Sequence, residues 1–334
     1  MSAPLVVAHR GVPGHRHEHT RGSYELAIEQ GADYIEPDVV CTRDGVLVVR
    51  HENEIGGTTD VASHPELADR RTTRFVDGVP LTGWFTEDLT LDELRSLRTR
   101  ERLPDLRPQN LHLAEPVVTF DEVLDIAEQG AARTGRPIGV YVETKHPTHF
   151  AELDLDLDDR LVETLGRRAL DHDAVPVVIQ SKEVGNLQRL RPRTDLPLIQ
   201  LADLRGAPFD LVAAGDTRTF ADLMSREGLA EIATYADGIG PHKSLVVARD
   251  ADHRLLDRTG LVEHAHDVDL LVHIWTMRDE NNFLPAELRL GDDRSVHGDA
   301  VAEYLVFFDA GVDGVFTDYT ATAVHARDVW MRQS

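Results

Sequence analysis

His9, Arg10 and Gly11 close the first apolar run of the chain, in PLVVAHRGVPG. Glu36 and Asp38 stand two residues apart in YIEPDVV, and Glu143 and Lys145 two apart in IGVYVETK. In a β-strand that spacing turns both side chains of a pair to one face. His51 follows a second apolar run, VLVVR. Three hard carboxylates without a thiolate partner suit Ca²⁺ or Mg²⁺ better than a soft metal. Such an ion holds a phosphoryl oxygen and lowers the pKa of a bound hydroxyl. Arg10 can grip phosphate through a forked pair of bonds, with Lys145 as a second charge. Two imidazoles can serve as general base and general acid on opposite sides of phosphorus. The set predicts metal-assisted attack on a phosphodiester, with Gly11 letting the backbone turn sharply toward the ligand.

For these residues to meet, distant segments must deliver them to one place. β-rich runs recur at Leu5–Ala8, Tyr34–Val40, Val46–Val49, Ile138–Val142, Val175–Ile179, Leu198–Leu201, Gly238–Gly240, Leu270–Trp275 and Val312–Phe316. Helix-compatible segments follow them, which predicts parallel βα units. The runs number nine, one more than a TIM-type (β/α)8 barrel needs. DVVCTRDGVLVVRHE accounts for the surplus: its Asp44-Gly45 marks a hairpin leaving the second strand. Pairing Cys41 with Val46 in that hairpin would set Glu36 opposite His51. From residue 52 to 117 the rhythm breaks, with Gly56-Gly57, Thr58-Thr59, Pro65, Pro80, Pro104 and Pro108 and one helical piece, TLDELRSLR, opened by a Thr90/Glu93 capping box. The reading is one barrel domain over 1–334 carrying an insertion at 52–117, with a second irregular stretch at Asp279–Ser295 near the mouth. Strand C-termini converge on one rim of such a barrel, and catalytic groups come from several of them. Taken singly, a strand-end histidine is most often structural and a Glu-x-Asp pair a solvated edge. The ordered recurrence on successive strands favours a site.

The 334 residues carry 35 Lys and Arg against 59 Asp and Glu, a formal charge of −24. That surface repels nucleic acid and anionic lipid. An anionic small substrate therefore needs a local cationic patch or a metal. Cys41 is the only cysteine, which excludes an intrachain disulfide and thiolate clusters. MSAPLVVA lacks the basic and long apolar regions of an export signal, and no run of about 18 apolar residues exists, so a cytoplasmic protein without membrane insertion is expected, with a secreted form whose signal has been trimmed as the alternative. No motif fixes an oligomeric state.

Other residues invite competing readings. Trp275, ending a strand-like run, either packs on substrate or fills the barrel top. Thr317-Asp318 is expected to cap the last helix. Phe283 and Leu284 either wall the substrate or anchor their loop. His15-x-His17-x-His19 and His264-x-His266 have zinc-like spacing, though solvated loop histidines are commoner in a chain with 17 of them. DLDLDD at 154–159 lacks the glycine and terminal glutamate of an EF-hand and reads as a turn and helix start.

In order along the chain, VVAHRG, EHT, GADYIEPDVVCTRDGVLVVRHE, YVETK, YADGIGP, LLVHIWTMR and GVDGVFTD resemble the glycerophosphodiester phosphodiesterases. The NEIGGTTDVA stretch and YADGIGP are similar to the larger bacterial branch. The resemblance spans about Leu5 to Val324 and implies a βα barrel with an insertion after the hairpin. It makes His9 and His51 the acid/base pair, Glu36, Asp38 and Glu143 the ligands of one divalent cation, calcium favoured and magnesium the alternative, and Arg10 and Lys145 phosphate ligands. Trp275 is the candidate contact to the glycerol or alcohol moiety. The implied reaction hydrolyses a small glycerophosphodiester to sn-glycerol 3-phosphate and an alcohol through a cyclic phosphate. Three positions depart from the family pattern: Glu52 stands where Asp is common, Gln180-Ser181-Lys182 replaces Ser-Phe, and Glu18-His19-Thr20 replaces Asn-x-Thr. The competing functions are a lyase that stops at the cyclic phosphate, a phosphodiester-binding barrel without turnover, and a histidine-metal hydrolase built on His15 and His17.

Overall fold

The chain enters its sheet at once. Leu5–His9 (β1) pairs in parallel with Tyr34–Glu36 (β2), so that His9 lies beside Glu36. The structure, a computed structural model, describes residues 3–333. Met1 and Ser2 of the segment read for an export signal lie outside the described residues, as does Ser334. Beyond β2, Pro37 interrupts the ladder and Asp38–Cys41 (β3) continues along Gly139–Thr144 (β7), with Asp38 opposite Glu143. Leu47–Val49 (β4) returns antiparallel to β3. Thr72–Val76 (β5) and Val79–Gly83 (β6) form a separate hairpin. Val177–Ser181 (β8), Leu198–Ala202 (β9) and Gly238–Pro241 (β10) follow β7 around the sheet. Val247–Arg249 (β11) and Leu255–Arg258 (β12) make a second small hairpin. Leu271–Met277 (β13) and Gly314–Thr317 (β14) bring the order back to β1. Pairing of β2 with β7 closes the ring into an eight-position parallel barrel in which β2 and β3 share one position. The TIM-type barrel is therefore present, and the hairpin is the surplus run.

The hairpin register differs from the sequence expectation by one residue. Cys41 faces Leu47, and Val39 faces Val49. Gly45 adopts φ +82° and donates to the Thr42 carbonyl at 3.0 Å, while Thr42 Oγ1 accepts from Val46 N at 2.9 Å. Thr42 therefore pairs with Val46, and the turn holds three residues, Arg43 to Gly45. This is the turn-plus-bulge geometry that a left-handed glycine permits. Glu36 is not opposite His51, because the antiparallel pair begins only at Asp38, whose carbonyl accepts from Arg50 N at 3.0 Å.

Segment 52–117 contains short 3₁₀ turns, the β5–β6 hairpin and the helix Leu91–Ser96, whose Thr90/Glu93 capping box is fully formed. Val61, Leu67, Leu89, Leu94 and Leu97 bury against the same apolar mass as the barrel strands and helices. Thr119 and Glu122 form a second capping box on helix Phe120–Thr134, which ends where Gly135 takes φ +69°. In the acidic run, Asp156 caps helix Leu157–Arg168 and Asp158 is buried against Arg189, so the turn-and-helix-start reading holds.

Inside the barrel, Val7, Tyr141, Val178, Ile199 and Phe316 pack together, with Tyr34 and Trp275 against them. Tyr141 meets Phe316 edge-on at 4.9 Å and its hydroxyl reaches His273 Nδ1 at 2.8 Å. The interior is a packed plug. It forms the floor on which the mouth residues stand.

Candidate active site

The register fixes the site. His9 beside Glu36, Asp38 beside Glu143 and Glu143 beside Gln180 trace one arc of adjacent strand ends. Oxygens of Glu36, Asp38 and Glu143 lie within 4.8 Å of one another, and all three side chains are buried. Each is held differently. Glu36 accepts from Arg10 N at 2.8 Å and from Gln180 Nε2 at 3.2 Å. Asp38 Oδ2 faces His19 Nε2 at 2.9 Å, and Lys145 Nζ sits 3.1 Å from Asp38 Oδ1 and 2.6 Å from Glu143 Oε1.

Charge in this cluster is unbalanced. Burial first, then repulsion from Asp38 and Glu143, pushes the Glu36 carboxyl well above its ordinary range, and burial likewise raises Glu143. Burial also acts to raise Asp38, but Lys145 and His19 outweigh it and hold that carboxyl well below. Asp38 Oδ1 is buried and has the Lys145 ammonium 3.1 Å away without a hydrogen bond. Three buried carboxylates faced by the two cations Lys145 and Arg10 form an all-oxygen set one positive charge short, which fits a hard divalent cation.

The histidines are arranged alike. His9 Nδ1 lies 2.7 Å from Asp318 Oδ1, and Asp318 is gripped by Arg107 and Arg278, each at 2.7 Å. His51 Nδ1 is hydrogen-bonded to Glu52, whose two oxygens take the fork of Arg102 at 2.9 and 2.6 Å. Burial, with Arg10 next, lowers His9 to about 4, and the same two influences hold His51 well below its usual range. Both rings are thus neutral near pH 7. The carboxylate facing each Nδ1 favours the tautomer protonated there, which leaves Nε2 as the atom that exchanges protons.

Arg10 adopts φ +57°, Gly11 follows at φ +91°, and a Cβ on Gly11 would stand 2.3 Å from Ser23 Oγ. The sharp turn expected of Gly11 is present, and only glycine fits it. It places the Arg10 guanidinium 3.1 Å from Glu18 and 3.4 Å from Asp38. His9, Arg10, Glu36, His51, Glu143, Lys145 and Trp275 all line one cavity of about 280 Å³, with Asp38 buried beneath it.

The sequence model of the glycerophosphoryl diester phosphodiesterase family matches residues 9–322. The chain belongs to that family. It is 36% identical to glycerophosphodiester phosphodiesterase GDPD6 of Arabidopsis thaliana, over 96% of this chain and 85% of the relative. It is 27% identical to glycerophosphodiester phosphodiesterase of Haemophilus influenzae, over 97% and 89%. Among solved structures, the glycerophosphodiester phosphodiesterase of Agrobacterium tumefaciens shares the fold with a TM-score of 0.58 at 18% identity, over 96% and 99% of the two chains. The Oleispira antarctica phosphodiesterase, solved with its product sn-glycerol-3-phosphate, does so with a TM-score of 0.62 at 19% identity, over 98% and 97%.

Within this glycerophosphoryl diester phosphodiesterase barrel, several groups escaped the sequence reading. Asp318 does not cap the last helix. Its carboxylate turns inward to His9 and two arginines, while Thr317 Oγ1 accepts from Tyr319 N. The signal was present, since Asp318 follows the last barrel strand as Arg10 follows the first. Arg102 has no such signal, because it comes from an irregular segment and reaches Glu18 and Glu52 only through the fold. Glu52, one methylene longer than the Asp common at its position, is hydrogen-bonded to His51 Nδ1. His19 spends its ring on Asp38 and Tyr24 rather than facing the cavity. His15 meets Tyr319 edge-on, and His17 sits between Thr99 and the Gln109 carbonyl, so the three histidines do not converge. Gln180 and Lys182 both line the cavity in place of an aromatic wall, and Phe283 supplies one from the late loop while Leu284 is buried as its anchor.

Proposed function

We propose that the protein hydrolyses glycerophosphodiesters to sn-glycerol 3-phosphate and an alcohol, with His9 and His51 as the acid/base pair. The observation that carries this reading is the pairing of two neutral imidazoles, each anchored by its own carboxylate, around a three-carboxylate cluster at one cavity. When bound by Glu36, Asp38 and Glu143, a divalent cation supplies Lewis-acid charge to phosphate and to an attacking hydroxyl. Calcium is favoured because it takes several carboxylates at once, whereas magnesium prefers to keep its waters. Nε2 of one histidine removes the proton of the glycerol hydroxyl adjacent to the ester. That oxygen bonds to phosphorus, the bond to the alcohol breaks, and the other histidine, which enters the step with a second proton on Nε2 beside the anionic substrate, gives that proton to the departing oxygen. A water then opens the cyclic phosphate with the proton roles reversed. Arg10 and Lys145 offset the charge that gathers on the phosphoryl oxygens.

The test is phosphorus NMR of glycerophosphodiesters incubated with protein stripped of metal and reloaded with calcium or magnesium. Expected is metal-restored release of sn-glycerol 3-phosphate, with a cyclic species only transient. Accumulation of the cyclic phosphate would make the protein a lyase. Binding without turnover would overturn catalysis altogether.

A further inference from the structure

Beyond the acidic floor, the cavity is walled by Lys182, Lys243, Arg249 and Arg278, and no acid lines that side. The concentration is local in a chain of formal charge −24. Its charges are only partly matched. Lys243 Nζ and Arg249 Nη2 share a single oxygen of buried Glu303, at 2.8 and 2.6 Å. Lys182 pairs with Asp203 and Arg278 with Asp318, so the four cations meet three acids and one positive charge is left over on this wall.

Arg249 and Asn282 also line a neighbouring cavity of about 390 Å³, with Arg289, Arg294 and His253 around it and Asp292 as its acid. Arg289 donates to the Leu284 carbonyl, and Arg294 donates twice to Asn282 Oδ1, at 2.8 and 2.6 Å. Among the described residues neither guanidinium has a carboxylate partner. A cationic track thus runs outward from the catalytic cavity through Arg249.

The same wall is ill-suited to a quaternary ammonium group. Such a group is recognised by open aromatic faces. Here Lys182 Nζ stands over the Trp275 ring at 5.3 Å and the Arg278 guanidinium over Phe283 at 4.5 Å. Both faces are already taken by the protein's own cations.

We infer that the preferred substrate carries a second phosphate on its alcohol side, seated in the cavity lined by Arg249, Arg289 and Arg294. This rests on the phosphodiesterase reading and names its substrate class. Arg289 and Arg294 are bonded only to neutral oxygens, so their charge and their remaining N–H groups stay available to phosphate.

The test compares kcat/KM of the metal-loaded full chain on glycerophosphocholine, glycerophosphoglycerol, glycerophosphoglycerol bearing a terminal phosphate, and a short glycerol phosphate oligomer. The terminal phosphate is expected to raise kcat/KM over glycerophosphoglycerol by at least about tenfold, and the gain to shrink as salt is added. In the double variant Arg289→Gln, Arg294→Gln that ratio should fall to about threefold or less, with Arg289→Lys, Arg294→Lys restoring part of it. A gain for the phosphorylated monomer alone assigns the cavity to a terminal monoester, and a gain for the oligomer as well assigns it to an internal diester; either supports the inference. Equal kcat/KM with and without the second phosphate, faster turnover of the choline ester, or a ratio unmoved by the glutamine variants would overturn it while leaving the phosphodiesterase reading in place. No turnover of any ester ends both.

Discussion

His9 Nδ1 and Asp318 Oδ1 lie 2.7 Å apart although 309 residues separate them in the chain. The contact spans the junction where β14 closes the barrel onto β1, so the imidazole is oriented only when the last strand is in place. Asp318 touches no reacting atom in the proposed chemistry and is a positioning residue. Asp318→Asn should lower kcat by about 10²-fold or more, with KM within about threefold, because the ring loses the partner that fixes its tautomer. Asp318 also acts to raise the His9 pKa against burial. In the variant the acidic limb of the pH–rate profile should move to lower pH. A profile that keeps its shape while kcat falls would assign Asp318 a purely structural role.

Arg102 links the two carboxylates behind the second histidine, binding Glu18 at 2.7 and 2.6 Å and Glu52 at 2.9 and 2.6 Å. Glu18 is buried, with Arg10 and Arg50 as its remaining partners. Arg102→Met should cost on the order of 3 kcal/mol, because it strands buried charge rather than removing a pair. It should also cut kcat more than it raises KM, since Glu52 loses the fork that steadies it against His51. Urea unfolding and steady-state kinetics check both. A variant of full stability would mean that Arg10 and Arg50 suffice for Glu18.

Much of this site can be read in the sequence because strand ends are short, apolar runs that stop at polar residues. His9, Glu36, Asp38, Glu143 and Lys145 all stand where such a run ends, and a barrel leaves those ends one place to go. The hairpin register was harder. The Asp44-Gly45 signal locates the turn, but whether two or three residues form it depends on Gly45 taking a left-handed conformation, and that difference reverses which side chains face each other. Arg102 lay beyond reach for another reason. Its segment has no period, so its place at the mouth follows from the tertiary packing of Leu89, Leu94 and Leu97, which no local pattern encodes.

Lys145 bridges two members of the cluster, Glu143 at 2.6 Å and Asp38 at 3.1 Å, and Glu143 stands on a strand otherwise anchored by its ladder. Glu143→Gln keeps shape and removes one of three charges. Its calcium dissociation constant should rise by at least about tenfold, while the Tm of the metal-free protein moves by only a few degrees. Calorimetric titration and a thermal melt are the two readouts. An unchanged titration would remove Glu143 from the ligand set.

Phe316 has its ring between Tyr141 and the cavity, lining the mouth while packing into the interior plug. Phe316→Ala should destabilise by about 3–5 kcal/mol through the void it opens, and Phe316→Leu by much less. If floor and site are coupled, the alanine variant also loses kcat at temperatures where it remains folded. Activity that survives in full would show that the carboxylate ring is held by the strands alone.

His273 offers a way to read buried histidine chemistry away from the mouth. Burial lowers it to about 4, and it sits inside the barrel against the Tyr141 hydroxyl. A histidine that is harder to protonate when folded binds more proton unfolded, so between pH 6.5 and 4 its contribution to stability grows as pH rises. Glu101, Glu183 and Asp279, each raised to about 7 chiefly by burial, act in the opposite direction over the same range. The total slope of stability against pH therefore sums opposing contributions, and the informative quantity is a difference. In His273→Gln the slope between pH 4 and 6.5 should fall by up to about 1.4 kcal/mol per pH unit relative to the parent. Loss of the Tyr141 contact lowers the whole curve but does not tilt it, because burial pushes the Tyr141 hydroxyl well above 10. Parallel curves for parent and variant would mean that His273 titrates in the folded barrel as it does in the open chain.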